Sequence, residues 1–268
     1  MNSIIVPTNF SPSADNALNY AGRLAGSIST SVLLLHVYQI PVSINEMPVM
    51  VVSSEELKKN ADETLEKSKQ QLLSAYPNCE VRTESLLGDL REELEEICER
   101  EKPFAVVLGT HHTTGFERLL FGDTALSIIR GIDFPVVAVP QGAKANAPEN
   151  IVFATDLKNI DEVPAQKIID VVRTLNAELH VVHIDVGNEY NSEAAARLNE
   201  MFRHIQPQYH EIRDENVAHG INTFVQQNNI DLILVIPHKH NLYERLFSTV
   251  HTKDILDKAQ VPIMSLKN

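Results

Sequence analysis

Histidine and lysine side chains that could capture a metal ion or an anion are grouped near the end of the sequence. They are His238, Lys239, His240 and His251. Two histidines two positions apart lie on one side of an extended segment, so both could reach one ion. No Cys or Glu completes a ligand set beside them, and a zinc site needs three or four protein ligands. We therefore expect a polar surface loop and no metal, with metal or anion capture as the alternative.

Two further histidines stand near the ends of apolar runs. His36 lies in VLLLHV (32–37) and His183 in LHVVHI (179–184). Continuous apolar runs of this length are typical of central parallel strands that are covered on both faces. We expect each histidine to be a hydrogen-bonded structural residue at the edge of the sheet where ligands bind.

These two runs belong to a repeat that extends through the whole chain. The other matched segments are IIVPTNF (4–10) with IVFATDL (151–157), FERLLF (116–121) with YERLFS (243–248), and PVVAVP (135–140) with PIMSLK (262–267). Two copies of one unit predict an intramolecular pseudo-dimer. Glu117–Arg118 and Glu244–Arg245 recur in both copies, and we expect a structural role for them.

The order of the elements predicts the fold class. Apolar strands alternate with segments of helical spacing in both copies, which indicates α/β domains, each a doubly wound parallel sheet. Ser11 and Asp89 are predicted helix caps, with Pro12 at a first helical position. We place the first domain at 1–140, a polar linker at 141–150 and the second domain at 151–268. The long connection over 38–53 is typical of a functional loop.

Composition excludes several classes of function. The formal net charge is -13, which argues against binding to nucleic acid or to anionic membranes. Of the two cysteines, Cys79 and Cys98, the second lies on the apolar stripe of a predicted helix, so a buried reduced thiol is expected rather than a disulfide. No apolar run is long enough to span a bilayer, and no leader is recognisable. We expect a soluble cytoplasmic protein.

Three segments resemble the universal stress protein family, and the whole chain resembles a tandem member with two such domains. They are IIVPTNFS (4–11), LLLHV (33–37) and VVLGTHHTTGFERLLFGDTA (106–125), the last followed by PVVAVP. The resemblance implies Rossmann-like domains of the adenine nucleotide alpha-hydrolase type that pack through their last strands. It also implies a role in stress response or signalling, and ATP or AMP as a ligand.

ATP-binding members of that family carry Gly-x-x-Gly, nine residues and Gly-Ser/Thr after the fourth strand. Glycines let backbone amides approach phosphate, and the next helix offers free N–H groups to it. An Asp after the first strand reads the adenosine, and here Asn9 takes that place. The implied site in the first half is Pro7, Thr8, Asn9, Val37, Gly109, His112, Gly122, Asp123 and Thr124. The alternative is that these glycines only turn the chain.

Departures from the family motif differ between the halves. In the first, His112 replaces a glycine, and Asp123 puts a carboxylate where phosphate would lie, which repels the ligand. The second retains Thr155 and Asp156, but Pro237 and His240 take the positions of the first two glycines, followed by Thr249 and Val250. Since proline has no N–H for phosphate, we expect this degenerate second site not to bind ATP in the family manner.

Three functions remain open from the sequence. The first is a stress-response regulator that binds an adenine nucleotide in the first domain, with at most slow hydrolysis. The second is a scaffold that acts through an unknown protein partner alone, as the pseudo-dimer or as a further dimer. The third is an adenylate-chemistry enzyme. It is disfavoured because the sequence has no Walker loop, GxGxxG, GxSxG or CxxC motif.

Overall fold

The computed structural model of the chain describes residues 3–40, 53–110, 123–143, 146–187, 191–236 and 261–267. The first lobe contains β1 (Ile4–Pro7), α1 (Pro12–Ile28), β2 (Val32–Tyr38), α2 (Ser54–Ala75), β3 (Val81–Leu87), α3 (Leu90–Glu101), β4 (Ala105–Gly109), α4 (Asp123–Gly131) and β5 (Val136–Val139). The second lobe contains β6 (Asn150–Thr155), a 3-10 turn (Ile160–Glu162), α5 (Ala165–Leu175), β7 (Glu178–Asp185), α6 (Ser192–Phe202), β8 (Gln208–Arg213), α7 (Val217–Gln227), β9 (Leu232–Val235) and β10 (Ile263–Ser265).

All ten strands form one sheet in the order β3-β2-β1-β4-β5-β10-β9-β6-β7-β8. Within each lobe every pair of neighbours is parallel, as the apolar strands and alternating helices predict. The lobes meet where β5 pairs with β10 in the antiparallel direction, with Met264 opposite Val137. The predicted doubly wound α/β fold and the joining of the two copies through their last strands are confirmed.

Helices cover both faces of this sheet and bury two apolar layers. Helices α1, α2, α5 and α6 pack on one face, and α3, α4 and α7 pack on the other. Each layer includes residues of both lobes, because alternate side chains of β5 and β10 point to opposite faces. Lys267 adds a polar contact across the junction, since its Nζ donates to the Arg130 carbonyl oxygen at 2.7 Å.

Both predicted helix caps are present. The Ser11 hydroxyl accepts from the Ala14 amide at the start of α1, where Pro12 is the first helical residue. The Asp89 carboxylate accepts from the Arg91 amide at 2.9 Å at the start of α3. Such caps satisfy amides that have no partner within the helix, and replacing one by Ala costs about 1 kcal/mol.

The sequence predicts a helix near 161–175, after the first strand of the second lobe, and the structure divides this segment. The segment begins as the 3-10 turn, and α5 starts only at Ala165. Pro164 separates the two pieces, and its missing N–H and ring sterics prevent an α-helix from running through it.

Other predictions fall partly or wholly outside the described residues. One is the connection over 38–53, of which residues 41–52 are not described. Another is the helix before the last strand, which the sequence predicts to end at residue 258 and which lies wholly outside the described residues. The boundaries at 140 and 151 stay predictions. Cys98 is a buried free cysteine, as expected, and Cys79 is also unpaired. Burial raises the pKa of the Cys98 thiol to about 12. Among the helices of the described segments, none has the length and hydropathy to span a bilayer.

Candidate functional site

The carboxyl ends of β1 and β4 mark the candidate nucleotide cleft of the first lobe. These strands are neighbours, yet the chain leaves β1 towards β2 on one side and β4 towards β5 on the other. Such a switch point is where open α/β sheets bind ligands. It brings together the predicted residues that end the strands, namely Pro7, Thr8, Asn9 and Gly109, with Val37 at the end of β2.

The turn after β1 is held by side chains that bond their own backbone. The Thr8 hydroxyl accepts from the Phe10 amide at 3.0 Å, and the Asn9 side-chain oxygen accepts from the Ser11 amide at 3.2 Å. Phe10 has φ of 60°, in the left-handed region. The Asn9 amide oxygen therefore shapes this turn without a carboxylate.

The second lobe repeats this turn. The Thr155 hydroxyl accepts from the Leu157 amide at 3.1 Å, and the Asp156 carboxylate accepts from the Lys158 amide at 3.0 Å. Leu157 has φ of 56°. Asn9 and Asp156 thus make the same turn and differ in charge.

The two repeated histidines also occupy equivalent places. Nδ1 of His36 donates to the Thr8 carbonyl oxygen at 2.7 Å, and Nδ1 of His183 donates to the Thr155 carbonyl oxygen at 3.1 Å. A carbonyl only accepts, so the proton lies on Nδ1 in both rings. Each histidine ties its strand to the preceding one, which agrees with the structural role expected.

Gly109 ends β4 directly beneath the first turn of α1. A Cβ atom at this position would lie 2.0 Å from the Ser13 carbonyl oxygen. Only glycine permits this approach, whether or not a ligand binds. The next residue, Thr110, is buried, and its amide donates to the Val139 carbonyl oxygen at 3.0 Å. The start of the loop after β4 is therefore fixed against both α1 and β5.

The equivalent cleft of the second lobe is built differently. The strand registers place Ile236 at the position of Gly109, so Pro237, assigned there from the sequence, lies one residue further on. An Ile side chain cannot fit beneath a helix placed as α1 is. When the two copies are aligned by their strands, α5 begins six residues later than α1. The later start of the helix leaves room for the Ile236 side chain.

The family model of the universal stress proteins matches residues 1–140 and 148–267. The chain belongs to the universal stress protein family. A universal stress protein from Methanocaldococcus jannaschii is 29% identical over 143 residues, which are 53% of this chain and 83% of that protein. A solved universal stress protein from Archaeoglobus fulgidus DSM 4304 has a TM-score of 0.72 at 17% identity, covering 99% of this chain and 98% of that one. The tandem form predicted from the repeat is confirmed.

Several predicted residues of this universal stress protein lie outside the described segments. They are His112, Gly122, Pro237, His238, Lys239, His240, Thr249, Val250, His251 and the two Glu–Arg pairs. Asp123 and Thr124 belong to α4, so the helix that the family motif requires is present. Within the described segments, no group of three His, Cys, Asp or Glu residues is arranged to hold a metal ion.

Sequence reasoning missed a pair of histidines in the second lobe. Nδ1 of His180 lies 3.1 Å from Nε2 of His210, and both rings contact Phe224 of α7. Burial and the neighbouring His210 lower the pKa of His180, and burial lowers that of His210. His180 stands in repeat register with Leu33. A histidine at a position that is apolar in the first copy was the sequence signal that could have indicated this pair.

Proposed function

We propose that this universal stress protein is a stress-response regulator that binds ATP or AMP in the first lobe. The observation that carries the proposal is the switch point between β1 and β4. Asn9 follows β1, Gly109 ends β4, and α4 contains the residue that the family motif assigns to phosphate contact. We also propose the cytoplasm as its location, which the two unpaired cysteines favour.

The expected contacts follow from the chemistry of the cleft. Asn9 offers an amide to the adenosine, and the amino end of α4 offers unpaired N–H groups to phosphate oxygens. The second lobe is the weaker candidate, because Ile236 stands where the first lobe has Gly109 and Pro237 follows without an N–H. Binding of nucleotide is therefore expected in one lobe only.

Mass spectrometry of the purified protein under native conditions tests for a carried-over nucleotide. Titration calorimetry with ATP and AMP then locates it. Asn9→Ala should weaken binding severalfold, and the matched variant Asp156→Ala in the second lobe should leave it unchanged. Binding that is sensitive to Asp156 and insensitive to Asn9 would contradict the assignment.

The charge of Asp123 provides a second test. A carboxylate at the amino end of α4 competes with phosphate for the same N–H groups and repels it. Asp123→Ser should strengthen ATP binding, Asp123→Asn should do so partly, and the gain should shrink at high salt because the charges are screened. Calorimetry at low and high salt measures both effects. Unchanged ATP affinity in a folded Asp123→Ser protein would show that charge does not limit this site.

A scaffold without nucleotide is the second candidate. The observation in its favour is the contact of Gly109 with α1, which accounts for this glycine without any ligand. If neither the wild type nor Asp123→Ser binds ATP or AMP, the scaffold is the better description. A protein partner would then be sought by cross-linking in cells under stress.

A further inference from the structure

The second lobe contains a cavity of about 220 Å³ at the carboxyl edge of β6, β7 and β8, on the face that α6 covers. Its walls include Leu157, Val181, His183, Tyr209 and Glu211. It lies on the opposite face of the sheet from Val37 and the layer under α3 and α4. Of the described residues assigned to the degenerate second site, Thr155 borders this cavity and Asp156 does not, so the cavity has largely different walls.

Two differences between the lobes open this cavity. In the first lobe the Phe10 ring packs on His36, with centroids 4.5 Å apart. The second lobe has the smaller Leu157 beside His183. Helix α2 has 22 residues, whereas α6 has only 11. The shorter helix leaves the end of β8 uncovered.

The end of β3 shows what covers this position in the first lobe. There Ser85 donates to Asp62 of α2 at 2.5 Å, and Lys58 of α2 contacts both. In strand register Glu211 takes the place of Ser85. The side chain of Glu211 makes no hydrogen bond or ion pair with any residue that the structure describes. An exposed carboxylate that no described cation pairs with thus stands at the cavity.

The walls define the chemistry of a ligand. Leu157, Val181 and Leu198 form an apolar floor. Burial raises the pKa of Tyr209 to about 12, so its phenol stays protonated and can donate a hydrogen bond. Aromatic walls and a carboxylate together attract a cation that carries an apolar body.

We propose that this cavity is a binding site for a small primary amine with one apolar ring. The ring would lie on the floor between Leu157 and Leu198, and the ammonium group would pair with Glu211. A cavity of this size is smaller than the pockets that hold drug-sized ligands, which limits the ligand to a single ring. A charge-assisted hydrogen bond to Glu211 would supply orientation as well as affinity.

Titration calorimetry with 2-phenylethylamine tests the proposal on the full-length protein, with 2-phenylethanol as the uncharged probe of the same shape. The wild type should bind the amine more tightly than the alcohol. Glu211→Gln should weaken amine binding by about tenfold, the usual contribution of a hydrogen bond to a charged group, and leave the alcohol unaffected. Glu200→Gln, an exposed acid on α6 paired with Arg203, is the matched control and should change neither.

Filling the cavity gives an independent test. Leu157→Phe restores the side chain of the first lobe, and the backbone accepts it because Phe10 has nearly the same φ. This variant should fold normally and lose binding of both probes. Amine binding that survives Leu157→Phe, or that equals alcohol binding in the wild type, would overturn the proposal. So would failure of the amine to bind the wild type at millimolar concentration.

Discussion

Among the described glycines, Gly109 is the one at which an added Cβ atom would come closest to a neighbouring atom. Its hydrogen atom points at the Ser13 carbonyl, where a Cβ atom would come within 2.0 Å of oxygen. Packing against α1 therefore explains why a glycine is needed here, independently of phosphate binding. A substitution here tests packing first, and any effect on nucleotide must be judged against the loss of stability.

Gly109→Ala should destabilise the protein by about 1–3 kcal/mol, or more, because backbone atoms cannot move aside as a flexible side chain can. Gly26→Ala is the matched control. A Cβ atom there meets nothing within 4 Å, and the position is inside α1. That change should stabilise by about 0.5–1 kcal/mol, because Ala favours helix over Gly. Urea unfolding measures both, and equal effects of the two changes would contradict the packing argument.

At this scale the position of Thr8, Asn9, Thr155 and Asp156 after a strand could be predicted, because the residue types and the preceding apolar run are visible in the sequence. Their contact with a ligand stays a prediction. The equivalence of Ile236 to Gly109 was missed by one residue. Comparison of the two sequence copies aligned Gly109 with Pro237. The pairing of β9 with β6 fixes the register and aligns Gly109 with Ile236.

At the scale of elements, the contact between β8, β7 and α7 depends on the His180–His210 pair. The unfolded chain takes up protons on these side chains as the pH falls through about 6.5, the ordinary histidine value. In the folded protein both pKa values are lower. The stabilising contribution is therefore complete above about pH 6.5 and is lost as the pH falls towards the folded pKa values.

We expect the free energy of unfolding to decrease between about pH 7 and pH 5, with part of the slope removed in His180→Leu. Leucine is the residue at this position in the first lobe, so the apolar layer should accept it. Among the described residues, Glu178 is the charged group that acts on His180 from β7. The ionisable side chain of α7 is His219, which pairs with Asp214. Urea unfolding at several pH values measures the slope. The same slope in wild type and variant would exclude the pair as its source.

The element boundaries show why the strands were predicted better than one of the helices. A buried strand such as β2 is specified by its own apolar residues, and a cap such as Asp89 is a local signal. The start of α5 is set by Pro164, which divides the predicted helix into the 3-10 turn and α5. Local periodicity alone does not mark this boundary.

For the whole molecule, the junction of β5 and β10 makes two lobes into one sheet. Met264 is fully buried there, between Val137 of the first lobe and Leu234 of the second. Met264→Ala should cost about 2–5 kcal/mol. It should increase hydrogen exchange in β5 as well as β9, because the two strands share this contact.

Leu198→Ala serves as the control for that measurement. Leu198 is equally buried, but it belongs to α6 within the second lobe. Loss of the Leu198 side chain should increase hydrogen exchange of the backbone amides near α6 and β7. The amides of β5 should remain protected from exchange. If Met264→Ala also leaves β5 unchanged, the lobes do not depend on each other through this junction.

The antiparallel pairing of β5 with β10 has one more consequence. Since every other pair of neighbours is parallel, the strands of the two lobes run in opposite directions, and their carboxyl edges lie on opposite sides of the sheet. The proposed nucleotide cleft of the first lobe and the proposed amine cavity of the second therefore open away from each other. Occupation of one is expected to leave the approach to the other clear.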